Sequence, residues 1–156
     1  MEKKTIAEKL ALPMNYKWKI QSFNKAKTKA SCVAYIDARD VMDRLDRVVG
    51  IASWRDSYRR DSKDRLICKL ELKFGEQWVG KEDVGIESDS EGEKGEFSDA
   101  FKRAAVKWGI GRFLYDMDIK WLDMKVTPQG KEYYYNGKRV YEYKLTEAFK
   151  EAKKNE

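Results

Sequence analysis

The sequence predicts an α+β fold: an antiparallel β-β-β-α core in which a three-stranded meander packs on helices. Three observations carry this expectation. Residues 37–50 hold an unbroken apolar stripe at helical spacing, and residues 53–86 hold three alternating runs separated by short turns. Residues 97–115 hold a second amphipathic stretch that closes on two glycines. The chain has 156 residues and is 42% apolar, the size of one domain and enough to bury a core. The reading is therefore a single domain over 1–156, with its core at 16–115 and a hairpin and helix at 116–156.

Each element follows from local chemistry. Thr5–Leu12 reads as a short helix capped by Thr5 and stopped by Pro13. Tyr16–Phe23 alternates, with Tyr16, Trp18 and Ile20 against Lys17, Lys19 and Gln21, as a half-buried strand does. The following NKAKTKAS places Lys25, Lys27 and Lys29 at every second position with no acid nearby in sequence. It is either a mobile basic loop or a finger that touches phosphates.

Asp37–Gly50 reads as the clearest helix. Asp37 is its cap, and Ala38, Val41, Met42, Leu45, Val48 and Val49 form its apolar stripe. Arg39–Asp43, Asp40–Arg44 and Asp43–Arg47 are spaced to pair on the exposed side, and Gly50 suits the position after the helix. The balanced charge makes it a packing element. Ser53–Arg60, Arg65–Phe74 and Gln77–Ile86 are the meander, joined by Asp61-Ser62-Lys63-Asp64 and by Gly75-Glu76.

Glu87–Glu96, acidic and glycine-bearing, reads as a flexible loop. The helix after it is capped by Ser98 or Asp99, with Phe101, Ala104, Ala105 and Trp108 inward and Lys102, Arg103 and Lys107 outward. Gly109 and Gly111 end or bend it. Asp116–Val126 stays ambiguous, with Ile119, Leu122 and Val126 as its candidates for burial. Tyr133–Tyr143 reads as a tyrosine-rich hairpin turning at Asn136-Gly137, and Thr146–Lys154 as a short charged helix or tail.

Composition narrows the function. The net charge is +6 and aromatic residues make up 13% of the chain, which together suit single-stranded nucleic acid: cations follow phosphates while bases stack on rings. There is no histidine, which removes Ser-His-Asp and Cys-His catalysis and the histidine zinc sites. Cys32 and Cys68 lie far apart and read as small buried hydrophobes of a reducing compartment. No signal peptide and no long apolar run is present, so the expected location is cytoplasmic and away from membranes.

No GxxxxGK[ST] occurs, and Gly109-Ile110-Gly111 follows a helix, so neither an ATPase nor a dehydrogenase is indicated. The enzymatic alternative is a Mg²⁺-dependent nuclease built on Glu71 and Lys73 with Asp64 or Asp83, or on the Glu82-Asp83 pair. Ordinary alternation on a wet sheet face explains the same residues. A further alternative is an RNA-binding scaffold module.

Three segments occur in order: CVAYIDARDVMDRLDRVVGIASW, KEDVG and SDAFKRAAVKWGIGRFLY. Together they resemble the single-strand DNA annealing proteins of the Rad fifty-two, DdrA and phage Sak-like type, over roughly Tyr16–Tyr115. The resemblance implies an oligomeric ring that holds single-stranded DNA in a groove around its outside. It implies annealing of complementary strands in recombination and repair, with no catalytic group, ATP or other cofactor. Lys102 and Arg103 match the basic pair of the inner DNA site. The next basic position is Val106 here, with Lys107 beside it. Tyr35 matches the groove tyrosine, and Lys25, with Lys27 and Lys29, the preceding basic loop. Lys63 or Arg65, with Lys94, corresponds to an outer site for a second strand. Arg59 and Arg60, which close the first meander strand, are a further candidate stretch. Expected partners are single-stranded DNA, further copies of the chain, and an exonuclease or single-strand-binding protein. The implied setting is the nucleoid of a bacterium, or a phage gene product there.

Overall fold

A computed structural model describes residues 3–87, 92–130, 132–135, 137–141 and 144–147. In chain order the elements are α1 (Ile6–Ala11), β1 (Lys17–Phe23), β2 (Lys29–Tyr35), α2 (Ala38–Val48), β3 (Trp54–Arg60), β4 (Leu66–Phe74), β5 (Gln77–Val84), α3 (Gly92–Lys107), a 3-10 turn (Arg112–Asp116), β6 (Lys120–Val126), β7 (Tyr133–Tyr135) and β8 (Lys138–Val140). The fold is mixed α+β with antiparallel sheets. It divides into two compact units, residues 1–14 with 36–113 and residues 15–35 with 114–156.

The first unit holds the meander, ordered β3-β4-β5, and the three helices. Alternation along β4 buries Leu66, Cys68, Leu70 and Leu72, each 2% exposed or less. A leucine buried this fully contributes about 1.5–3 kcal/mol. α3 lays Ala100, Phe101, Ala104 and Ala105 among the buried residues, and Trp108 Nε1 donates to the Leu70 carbonyl at 3.1 Å. Three alanines on one helix face let it lie close to the strands. Gly85, just past β5, serves the same approach: its N–H donates to the Leu66 carbonyl at 2.9 Å, and its missing side chain makes room for Glu96 and Ala100.

The caps of the shorter helices are side-chain reciprocal. The Thr5 hydroxyl accepts from the Glu8 N–H at 3.2 Å and the Glu8 carboxylate from the Thr5 N–H at 2.7 Å. In α2, Asp37 accepts from the Arg39 and Asp40 N–H groups while Asp40 accepts from the Asp37 N–H. Asp40 is thus used in the cap, not in the pair with Arg44 expected from spacing. Arg44 instead donates to the carbonyls of Lys9, Leu10, Leu12 and Pro13 at 2.7–3.3 Å, satisfying the orphan carbonyls where α1 ends. Val41 and Leu45 are fully buried, whereas Met42 lies at the exposed margin of the stripe.

α3 begins earlier than its sequence suggests. Gly92–Glu96, read above as the end of a flexible loop, is its first turn and more; Ser98 and Asp99 are interior, and the Asp99 carboxylate accepts from the Ile86 N–H at 2.9 Å. The extension holds because Glu96, 8% exposed, is paired with Arg60 of β3. Gly109 and Gly111, at φ +96° and +76°, end the helix as expected.

The second unit is a five-stranded antiparallel sheet ordered β1-β2-β6-β7-β8. Trp18, Ala30, Cys32, Met124 and Leu145 form its core. β2 is a strand that sequence pattern does not announce: Ala30, Ser31 and Cys32 are all buried, so no alternation shows. In the ambiguous stretch Met124 is the fully buried residue, Leu122 and Val126 are half-buried, and Ile119 is 51% exposed. The predicted hairpin forms at β7 and β8, with Gly137 at φ +74°; Asn136 and Tyr143 lie outside the described residues. Of the C-terminal stretch, residues 145–147 are helical and 148–156 lie outside the described residues.

Candidate nucleic-acid interface

On α3 the apolar residues face inward and Lys102, Arg103 and Lys107 stand half-exposed or exposed on the other side. The basic face is not bare. Arg103 Nε lies 3.6 Å from Asp83 Oδ1, and Lys107 Nζ lies 3.9 Å from Asp83 Oδ2. Lys107 also donates to the Glu82 carbonyl, and Lys102 to the Ile36 carbonyl at 3.4 Å. Asp83 sits opposite Cys68, a core-facing register, which turns its carboxylate toward the helix. It is the counter-ion that pattern reading missed, and an acid at a core-facing position of β5 was the available signal. Asp83 thus faces two of the three cations on this side of the helix, Arg103 and Lys107. Arg103 Nε itself is buried without a hydrogen-bond partner, so Asp83 orients the guanidinium while 40% of the side chain stays open to solvent.

The arginines at the end of β3 are committed to the fold. Arg59 forms a two-pronged pair with Glu82 at 2.7 and 3.0 Å. Arg60 does the same with Glu96 at 3.2 and 3.0 Å and also donates to the Asp64 carbonyl. In the β3–β4 turn, Asp61 accepts from the Lys63 and Arg65 N–H groups and pairs with the Arg65 guanidinium at 2.6 Å. That leaves the Lys63 and Lys94 side chains exposed in this unit, at the turn and on the first turn of α3.

In the second unit the β1–β2 turn is an ordered hairpin loop. Asn24 caps it: its side-chain oxygen accepts from the Thr28 and Lys29 N–H groups at 2.9 Å, and its amide donates to the Thr28 hydroxyl. Lys27 adopts φ +57°, and its ammonium lies 5.8 Å from the Phe23 ring. Lys25 is exposed. Lys29 has an acidic neighbour after all, Asp123 of β6 at 3.8 Å. The Tyr35 ring carries the Lys19 ammonium at 5.3 Å.

The carboxylates considered for metal are occupied by cations. Glu71 is held by Arg55 at 2.8 Å and Lys69 at 3.5 Å; Lys73 reaches Glu76. Among the described residues no three His, Cys, Asp or Glu side chains converge. Both cysteines are buried, and burial pushes the Cys68 thiol up to about 12, which makes it unreactive.

Hydrogen bonds from Arg65, Arg55 and Arg59 depress the carboxyls of Asp61, to about 2, and of Glu71 and Glu82. A depressed folded-state value stabilises above the unfolded value and is lost as pH falls through the folded one. The melting temperature is therefore expected to hold down to about pH 5 and then fall progressively toward about pH 2. Asp61→Asn should flatten the lower part of that curve. A wild-type melting temperature that is level from pH 6 to pH 2 would contradict these pairings.

A model of the Rad52/22 family double-strand break repair protein matches residues 2–133, and the chain belongs to that family. Two similar curated proteins each carry the name single-stranded DNA-binding protein DdrA. That of Deinococcus radiodurans is 35% identical over 118 residues, covering 74% of this chain and 56% of its own. That of Deinococcus deserti is 38% identical over 107 residues, covering 67% and 52%. The chain thus spans about half the length of the curated relatives it matches. No solved structure matches it. Among the described residues no helix is long and apolar enough to cross a membrane.

Proposed function

We propose that the chain binds single-stranded DNA and anneals complementary strands in recombination and double-strand break repair, acting without ATP as a ring of identical copies. The observation that carries the reading is the α3 face, where Lys102, Arg103 and Lys107 stand together on the side away from the apolar residues in a member of this family. The exposed Lys25 and Lys27 hairpin supplies further positive charge, and the names of the two relatives support the ligand. Annealing asks for neutralised phosphates and accessible bases, and for no catalytic group, so the reading is non-enzymatic. The domain acts in this view as one module of 1–156, in the cytoplasm on the nucleoid. Its natural partners are an exonuclease that produces single strands and a single-strand-binding protein that covers them.

Ring formation is supported by the three-stranded sheet, which ends on β3 and β5 with both outer edges unpaired by another strand among the described residues. Open edges invite pairing between copies. The purified protein is expected to give a large closed oligomer by light scattering and electron microscopy, and to speed annealing of complementary oligonucleotides with no nucleotide added. A monomer or dimer at micromolar concentration would overturn the ring. Cleavage of labelled DNA with Mg²⁺ or Mn²⁺ that disappears in Glu71→Ala would replace the whole reading with the nuclease. Equal annealing of RNA and DNA strands would shift the ligand to nucleic acid at large.

A further inference from the structure

The five-stranded sheet buries one face and leaves the other to solvent. On the buried side lie Trp18, Cys32, Met124, Tyr133 and Tyr135. Register puts a different set of aromatics on the open side. Trp121 pairs with Ser31 across β2–β6; Tyr35 lies four residues along β2 from Ser31, and Tyr134 sits opposite Lys125, four residues along β6 from Trp121. Because β2 and β6 are antiparallel, Tyr35 and Tyr134 fall on opposite sides of Trp121. The three rings thus run diagonally across the face, each about 13 Å from the next along the strand direction.

Trp121 is the prominent member. It is 57% exposed, and among the described residues no ring or cation packs on its indole. Its cross-strand neighbours Ser31 and Ser22, bonded to each other at 2.7 Å, are too small to shelter it. An indole left standing on a sheet forfeits the burial that normally places it in a core. The charge around it is one-sided: among the described residues Lys17, Lys19, Lys29, Lys125 and Arg139 share the face with Asp123 and Glu132. A positive surface of this kind repels a second copy of itself, whereas a polyanion with planar bases is matched to both the rings and the cations.

We propose that this open sheet face contacts single-stranded nucleic acid, with Trp121 as the residue on which a base stacks. The proposal rests on the single-stranded DNA reading and adds Trp121 and Lys125 to the residues named for it, of which Tyr35 and Lys29 lie on the same face. Anisotropy of a labelled oligothymidylate tests it. Trp121→Ala should weaken binding roughly 5- to 100-fold and leave the slope of log K against log salt unchanged, because a stacked base is lost but no phosphate contact. Trp121→Phe should recover most of the affinity. Lys125→Ala should reduce the slope by about 0.7 for each protomer engaged. An abasic oligomer of the same length removes the base: wild type and Trp121→Ala should bind it equally, which separates stacking from a damaged fold.

If wild type binds oligothymidylate and Trp121→Ala binds it as tightly, the open face is not a DNA surface, though the proposed function stands. A Trp121→Ala variant that loses the abasic strand as well, or that changes oligomeric state with DNA binding intact, also overturns the stacking role. Failure of the wild type to bind at all would remove the single-stranded DNA reading itself.

Discussion

Adding one methyl group at Gly85 is expected to cost the protein about 3 kcal/mol of stability. A Cβ there would fall inside 3.0 Å of the Glu96 carbonyl oxygen, of Ala100 Cβ at 2.7 Å and of Ala100 N at 2.8 Å. Two of those three atoms are helix backbone, which cannot turn aside as a side chain can. α3 would have to lift from the meander, opening the contacts of Ala100 and Phe101. The usual benefit of replacing glycine, a less entropic unfolded chain, returns only about 0.4–1 kcal/mol and does not offset the clash. Gly80→Ala is the matched control. Its new methyl meets Lys69 Cε at 2.5 Å, the far end of a flexible side chain, and should cost under about 1 kcal/mol. Urea unfolding should show the Gly85→Ala midpoint well below both wild type and Gly80→Ala. Coincident midpoints would mean that α3 is not seated against this glycine.

The Lys102→Ala, Arg103→Ala double variant is expected to lose most single-stranded DNA binding and annealing. Two phosphate contacts at about 1.5 kcal/mol each amount to roughly a hundredfold in Kd. The dependence of log K on log salt should flatten by up to roughly 1.4 for each protomer engaged. Both side chains lie on the outward side of α3, and Asp83 keeps Lys107 as a counter-ion when Arg103 is gone, so fold and assembly should persist. Arg39→Ala, on the exposed side of α2, is the control and should bind like wild type. A double variant that keeps its oligomeric state and anneals normally would reduce the basic face of α3 to a solvated surface. The search for the strand path would then pass to Lys25, Lys27 and Lys63, because Arg59 and Arg60 are held by Glu82 and Glu96.

Where local chemistry decides the structure, the sequence was readable. The Asp37 cap, the Val41 and Leu45 stripe, the three meander strands with Gly75 at φ +59° and the glycines that end α3 all follow from their own neighbourhoods. What escaped depends on partners distant in sequence. β2 carries no alternation because Ser31, between Ala30 and Cys32 of the core, is itself buried between its lateral partners Ser22 and Trp121, the latter distant in sequence. The start of α3 looked like an acidic loop because nothing nearby in sequence shows that Arg60 neutralises Glu96. The same limit applies to the candidate site. The basic face of α3 was legible from periodicity, but its tether to Asp83 was not, nor was the pairing of Lys29 with Asp123.

The second unit is assembled from two stretches of chain that bracket residues 36–113. Its central seam, β2 against β6, joins Ala30 to Leu122 and Lys29 to Asp123. A nascent chain leaving the ribosome therefore carries β1 and β2 as an isolated hairpin while the whole meander and α3 are synthesised, and an isolated hairpin is marginal in water. The meander, by contrast, closes through neighbouring turns and can mature first. The seam closes a loop of residues 33–119, so its contacts carry the entropy of a long closure. Completion of the five-stranded sheet is thus timed by the emergence of β6, and its half-built edge along β2 is the surface most exposed to mispairing during synthesis.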